Sequence, residues 1–389
     1  MKIRTAWKKF FFFLSASKDW KRPKHSKILI FDQAGSELFL KYLCDTSVTV
    51  FTKDGKSLNV WALAKSLITK GSYRFYDSCY IELVNPKVVL TFIDNTPAFY
   101  GLKDSNPSIV TVFVQNGLRS IIGDIFGFLE RAGHNKKRYH VDHMLCFNEA
   151  VCKEYNKYIS GDTMAIGSFK NNMVERSGGP EETGSILFIS QFRKKPLSEG
   201  AIMFENVEWG SFFRPEVYYL PLIFSFCKEK NIRLKVCGCL SNIAEEHHFF
   251  SSLLGNEGWD FIPWTSSDSS YQLVDRASVI VTIDSTLGYE ALARGKKVAL
   301  LTARGKCIDT EGIDFGWPAK LPSNGPFWTN DLNKDAFLGI MHYIMGVTDM
   351  DWAQLLEQYA DILPTYDPGN RKFLLLMKDL SVPLKQVNG

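Results

Sequence analysis

No stretch of this sequence reaches the roughly 20 consecutive apolar residues that a membrane-spanning helix needs, so no spanning helix is expected. None of the eight cysteines stands in a Cys-x-x-Cys pair. The closest two, Cys237 and Cys239, end an apolar run. Zinc sites need paired ligands at regular spacing, so the cysteines read as buried, reduced thiols. Charge of one sign is not in large excess either. A net +4 over 389 residues carries no nucleic-acid footprint. Internal repeats and low-complexity tracts are also missing, which excludes a repeat array.

What is present is a globular chain with material for two cores. Its 389 residues exceed one ordinary domain, and 45% of them are apolar. The 29 phenylalanines suit packed interfaces and sugar-stacking surfaces equally. Residues 1–25 stand apart. Lys8 and Lys9 precede Phe10 to Leu14, and Lys18, Trp20, Lys21, Arg22 and Lys24 follow. The apolar part is too short for a signal peptide. The segment reads either as a basic, aromatic surface suited to an anionic membrane or as a solvated leader or a helix packed on the body.

Short β-branched runs then alternate with amphipathic stretches. Strands are expected at Lys27–Phe31, Val48–Thr52, Val88–Ile93, Ile109–Val114 and Met144–Phe147. A polar, turn-rich stretch from Glu175 to Gly184 interrupts the pattern, which restarts with strands at Ser185–Ser190, Ile232–Cys237, Ser278–Ile283 and Val298–Leu301. Buried strands separated by helices imply parallel sheets covered on both faces. The expected class is therefore α/β: two Rossmann-like doubly wound domains, 26–176 and 184–389, facing a central cleft, the second with added C-terminal helices. Ligands of such sheets bind at the carboxyl ends of the strands.

The most informative segment runs from Ala277 to Leu301. It reads as a buried strand, a polar turn, a short helix and another buried strand. Ser285 and Thr286 fall at the helix start, where free N–H groups and the dipole favour an anion. Gly288 leaves room for a ligand to approach. Glu290, one turn in, suits two neighbouring ribose hydroxyls. The plainer reading makes Ser285 or Thr286 an ordinary N-cap. Gln191 and Arg193, just after the strand Ser185–Ser190, join these as candidate donor contacts.

This element resembles the donor-binding element of glycosyltransferases of the GT-B fold, in particular surface-carbohydrate biosynthesis proteins. Leu187 to Gln191, Val112 to Arg119, Thr91 to Asn95 and Tyr366 to Asn370 extend the likeness. The resemblance implies donor binding by the second domain and acceptor binding by the first. It also implies no obligatory metal and no cofactor beyond the nucleotide-sugar as co-substrate. Transferases of CMP-activated acidic sugars likewise place a Ser-Thr pair at this turn, which favours such a donor.

First-domain candidates follow from strand ends. Asp94 closes one strand, and Arg119 lies just beyond another. Asp94 is a candidate base or nucleophile, and Arg119 a partner for an acidic sugar or a phosphate. Glu149, after Met144–Phe147, is a second candidate base. For each the competing reading is structural: a helix cap or a turn residue. His140 and His143 lack a third metal ligand, and Asp309-Thr310-Glu311 is only weakly metal-like. The expected protein is a cytoplasmic glycosyltransferase, peripheral on the inner membrane face, acting on a glycan or lipid-linked glycan. Three alternatives stay open: a nucleotide-sugar epimerase, a non-catalytic nucleotide-sugar-binding scaffold, and a phosphotransferase of teichoic-acid type. Such epimerases usually carry Asp-Ser-Gly-Gly where this chain has Asp284-Ser285-Thr286-Leu287.

Overall fold

The computed structural model describes residues 16–52, 57–133, 139–178, 181–194, 202–204, 207–239, 243–310 and 312–385. Lys8 to Leu14 and Glu311, named above, lie outside the described residues. In chain order the strands are β1 (Ser17–Asp19), β2 (Ile28–Ile30), β3 (Val48–Val50), β4 (Ser57–Asn59), β5 (Val88–Thr91), β6 (Val110–Val114), β7 (His140–Cys146) and β8 (Ser160–Ala165) in the first half. The second half has β9 (Glu182–Ile189), β10 (Ile202–Phe204), β11 (Val207–Glu208), β12 (Arg233–Cys237), β13 (Trp259–Ile262), β14 (Ala277–Thr282) and β15 (Lys297–Leu300).

Two all-parallel sheets organise the molecule. The first has the order β3-β2-β5-β6-β7-β8, the second β13-β12-β9-β14-β15. Alternation in β2 shows how both faces are filled. Leu29 joins one core with Val89 and Phe113, while Ile28 and Ile30 join the opposite core with Leu90 and Val112. A strand buried on both faces reads as an unbroken apolar run, the signal legible in the sequence. The second sheet has a core of its own, from Ile186 and Phe188 to Ile280 and Val298.

Two features differ from expectation. The edge strands β8 and β13 were not foreseen, nor were the short strands β1, β4, β10 and β11. β8 reads Ser-Gly-Asp-Thr-Met-Ala, exposed at several positions, so it lacks the apolar run. The final helix, Arg371–Asp379, was expected with the second half. Its Phe373, Leu376 and Met377 instead pack into the core of the first sheet beside Ile28 and Phe39. The rings of Phe39 and Phe373 stack at 5.7 Å, and Phe169 meets Phe373 edge-on at 5.0 Å. The chain therefore crosses between the halves twice.

Candidate functional site

The carboxyl ends of the two sheets face each other across a cleft of about 490 Å³. Asn95, Gln115 and Asn148 enter it just beyond β5, β6 and β7. Gln191, Asp284 and Arg304 enter it beyond β9, β14 and β15. Each side chain is there because a parallel strand ends and its chain turns toward the covering helix, as open α/β sheets require. Trp317 also lines the cleft and packs at 5.0 Å against Phe126 of the first half.

Of the expected donor contacts, Thr286, Gln191 and Arg193 line this cleft; Ser285, Gly288 and Glu290 do not. Thr286 opens the helix Thr286–Ala293. Its Oγ1 lies 3.5 Å from the Leu118 amide, so this helix start meets the turn after β6. Ser285 is the N-cap by backbone but makes no side-chain capping bond. A Cβ on Gly288 would lie 2.4 Å from Thr282 Cγ2. The glycine therefore serves helix-on-strand packing, not ligand approach. Glu290 is 4% exposed. It accepts from the Ser168 hydroxyl and from the Tyr271 hydroxyl at 2.8 Å, and burial raises its pKa. In this structure the expected ribose-binding carboxylate is an internal link between the halves. Gly167, beside Ser168, is structural as well. Gly167 has φ +77°, and a Cβ there would collide with the Thr365 carbonyl at 1.7 Å.

Asp94 and Arg119 are brought together, but not as a catalytic pair. Asp94 is wholly buried. Its Oδ2 accepts from Arg119 Nε at 2.7 Å and from the Tyr155 hydroxyl at 2.6 Å. Its Oδ1 accepts from Arg119 Nη2 and from the Asn116 amide at 3.1 Å. Burial opposes the charge on Arg119, yet Asp94 holds the guanidinium well above its ordinary value. A carboxylate with four donors and no exposure lacks a free lone pair for an acceptor hydroxyl. The pair knits the turns after β5 and β6 together. Glu149 is exposed in the first turn of the helix Glu149–Tyr155, outside the cleft lining, where the dipole alone accounts for it.

Three residues absent from the sequence candidates matter more. Arg304 is 2% exposed. It donates to Asp284 at 2.7 and 3.0 Å, to Glu216 at 2.8 Å and to Gln191 at 3.3 Å. Its guanidinium lies 3.8 Å from the Phe212 ring centre, and exposed Arg193 approaches the same ring at 5.5 Å. Burial raises the Glu216 pKa while Arg304 opposes that shift. Asp284 is thus a cleft carboxylate fixed by a buried arginine. Asp124, N-cap of the helix Ile125–Ala132, lines the cleft as well. It accepts from the amides of Ser120 at 3.0 Å and Ile125 at 2.7 Å, with Arg119 Nη1 3.6 Å away. Burial outweighs Arg119 and lifts the Asp124 pKa. The strand-end rule that selected Asp94 would have found Asp284 directly after β14.

Among the described residues no group of three or more His, Cys, Asp or Glu is placed to hold a metal ion. His140 bonds Ser160 at 2.9 Å and Asp142 at 3.2 Å. The Asp-x-Asp triplet Asp349-Met350-Asp351 opens the helix Asp349–Glu357, outside the cleft lining. Asp349 pairs with Lys297 there, and Asp351 with Thr348.

A family model described as "putative O-antigen biosynthesis protein" matches residues 112–381. No curated protein sequence matches the chain. Among solved structures, S. aureus MnaA with UDP shares 14% identity at a TM-score of 0.51, covering 92% of this chain and 97% of that one. The UDP-GlcNAc 2-epimerase from Neisseria meningitidis bound to UDP-GlcNAc shares 12% at 0.48, with 91% and 92% covered. The wall teichoic acid polymerase TagF shares 8% at 0.47, with 92% and 90% covered. At these identities the likeness is one of fold, the two-domain GT-B type.

Proposed function

The chain belongs to the O-antigen biosynthesis protein family, and from that premise we propose that it is a glycosyltransferase using a nucleotide-activated sugar in the cleft between its two sheets. One observation carries this reading. The N-terminus of the helix Thr286–Ala293 opens into a cleft lined by the carboxyl ends of both parallel sheets. Backbone N–H groups and the helix dipole favour a phosphate there, the Thr286 hydroxyl adds a donor, and exposed Arg193 is within the same lining. Arg119 and Arg304 are already committed to carboxylates.

The start of the helix Thr286–Ala293 together with the exposed Arg193 guanidinium suits a donor with a single phosphate and a sugar carboxylate, a CMP-activated acidic sugar. Asp124 takes the role first assigned to Asp94. It faces the cleft and burial raises its pKa, which suits it to exchange a proton with an acceptor hydroxyl. Asp284, held by Arg304, orients sugar hydroxyls. The acceptor is a glycan or lipid-linked glycan of surface-polysaccharide assembly. None of these steps calls on a metal ion.

The test is a thermal-shift panel with CMP, CDP, UDP and GDP, since a ligand of the folded state raises Tm by mass action. Incubation of the matching activated sugar with and without acceptor glycan then follows. A CMP-specific shift with acceptor-dependent release of CMP is expected. No shift with any nucleotide removes the donor site. Conversion of the donor sugar without acceptor makes the protein an epimerase.

A further inference from the structure

We infer that the flank of the first half formed by Lys18–Lys27 and the helix Val60–Lys70 is a docking surface for an anionic lipid membrane. The basic run is the first observation. Lys18, Lys21, Arg22, Lys24 and Lys27 lie within ten residues beside one carboxylate, Asp19. The ten-residue run therefore carries a net charge of +4. Asp19 is engaged by the Asn59 amide at 2.9 Å and by the Lys21 backbone at 3.0 Å, while Lys21, Arg22, Lys24 and Lys27 are exposed.

The second observation is apolar and adjoins the first. Strand β1 pairs with β4, which runs directly into the helix Val60–Lys70. Trp20 is 72% exposed, Trp61 49% and Ile68 82%. The Trp61 indole N–H donates to the Trp20 carbonyl at 2.9 Å, and Arg22 sits 5.9 Å from the Trp61 ring centre. Trp61 and Ile68 are seven residues apart, two turns along one helix face. Between them Lys65 is paired with Glu82 at 2.7 Å, so the face itself carries little free charge. Exposed tryptophans beside lysines and arginines are the composition of a membrane-interface anchor. The rings enter the headgroup region while the cations meet anionic lipids. No helix among the described residues is long and apolar enough to cross a membrane, so this surface lies on the bilayer.

The experiment is co-sedimentation of the full chain with vesicles of phosphatidylcholine alone or with phosphatidylglycerol, at low and high salt. The expected result is binding to the anionic vesicles that salt weakens. Lys21→Gln with Arg22→Gln should lower the partition coefficient about 25-fold, at about fivefold per cation. Trp20→Ser with Ile68→Ser should abolish the binding that survives high salt. Both variants should keep the nucleotide-induced Tm shift of the parent, which separates this surface from the cleft. Unchanged partition of either variant overturns the inference. So does binding to a duplex oligonucleotide without binding to anionic vesicles.

Discussion

The hydroxyl of Ser168 donates to Oε1 of Glu290, 122 residues away in sequence, and so joins the last turn of the first half to the helix that opens on the cleft. Ser168 also caps its own helix, accepting from the Asn171 amide at 3.4 Å. Nearby, Arg294 donates to the carbonyls of Val174 at 3.0 Å and Glu175 at 3.1 Å while held by Asp275 at 2.6 Å. The two contacts make the crossing between the halves a fixed joint beneath the cleft.

Glu290→Gln should therefore report on stability before it reports on binding. Burial raises the folded-state pKa of Glu290 above its unfolded value. The folded state then binds the proton more tightly, so this group's contribution to stability is fullest at acid pH and is lost as pH rises through the folded pKa. Glutamine carries no such penalty, and both hydroxyl partners can donate or accept. The variant's Tm relative to the parent should rise between acid and neutral pH, with nucleotide affinity within twofold. A tenfold loss of nucleotide affinity with unchanged pH-dependence of Tm would return Glu290 to the ribose.

Asp94→Asn should unfold more readily. It leaves the buried Arg119 charge with only the longer contact to Asp124 at 3.6 Å, and breaking such a buried pair costs about 3–5 kcal/mol. Urea denaturation should show this as a lowered midpoint with an unchanged slope. Parental stability combined with lost turnover would make Asp94 catalytic after all.

Asp124→Asn separates chemistry from structure. Asparagine keeps the N-cap, so Tm should move little. Turnover should fall by about 10²–10⁴, the range for loss of a general acid or base, with CMP affinity retained. Turnover within threefold of the parent would eliminate Asp124.

Gly288→Ala should cost about 1–3 kcal/mol by overpacking against Thr282 Cγ2. Thr282→Ser removes that methyl but keeps the hydroxyl that bonds the Ile189 carbonyl at 3.3 Å. The double variant should recover most of the lost Tm. A fully stable Gly288→Ala protein with impaired nucleotide binding would instead place the ligand against this glycine.

Thr286→Val and Arg193→Ala should each weaken nucleotide binding by about 1–3 kcal/mol, as for hydrogen bonds to a charged group. Isothermal calorimetry with CMP measures it. The nucleotide assignment fails if neither change alters affinity while the fold stays intact.

Much of the fold was legible because strands buried on both faces announce themselves as apolar runs. Val88–Thr91, Val110–Val114 and Ala277–Thr282 were each expected to within two residues. β8 was missed because an edge strand needs no such run. The strand-end rule likewise located the turns that form the cleft. It could not say which side chain of a turn looks outward. Asp94 and Glu290 carry the residue types a site needs, and both point into the protein. Local sequence dictated periodicity, the parallel sheets and the helix start at Thr286, since those depend on neighbours within a few residues. Tertiary structure alone decided which carboxylates are spent. Arg119, Tyr155, Ser168 and Arg304 reach their partners from 20 to 122 residues away, and whether a charge is buried and paired or left facing a cleft depends on what the rest of the chain brings against it.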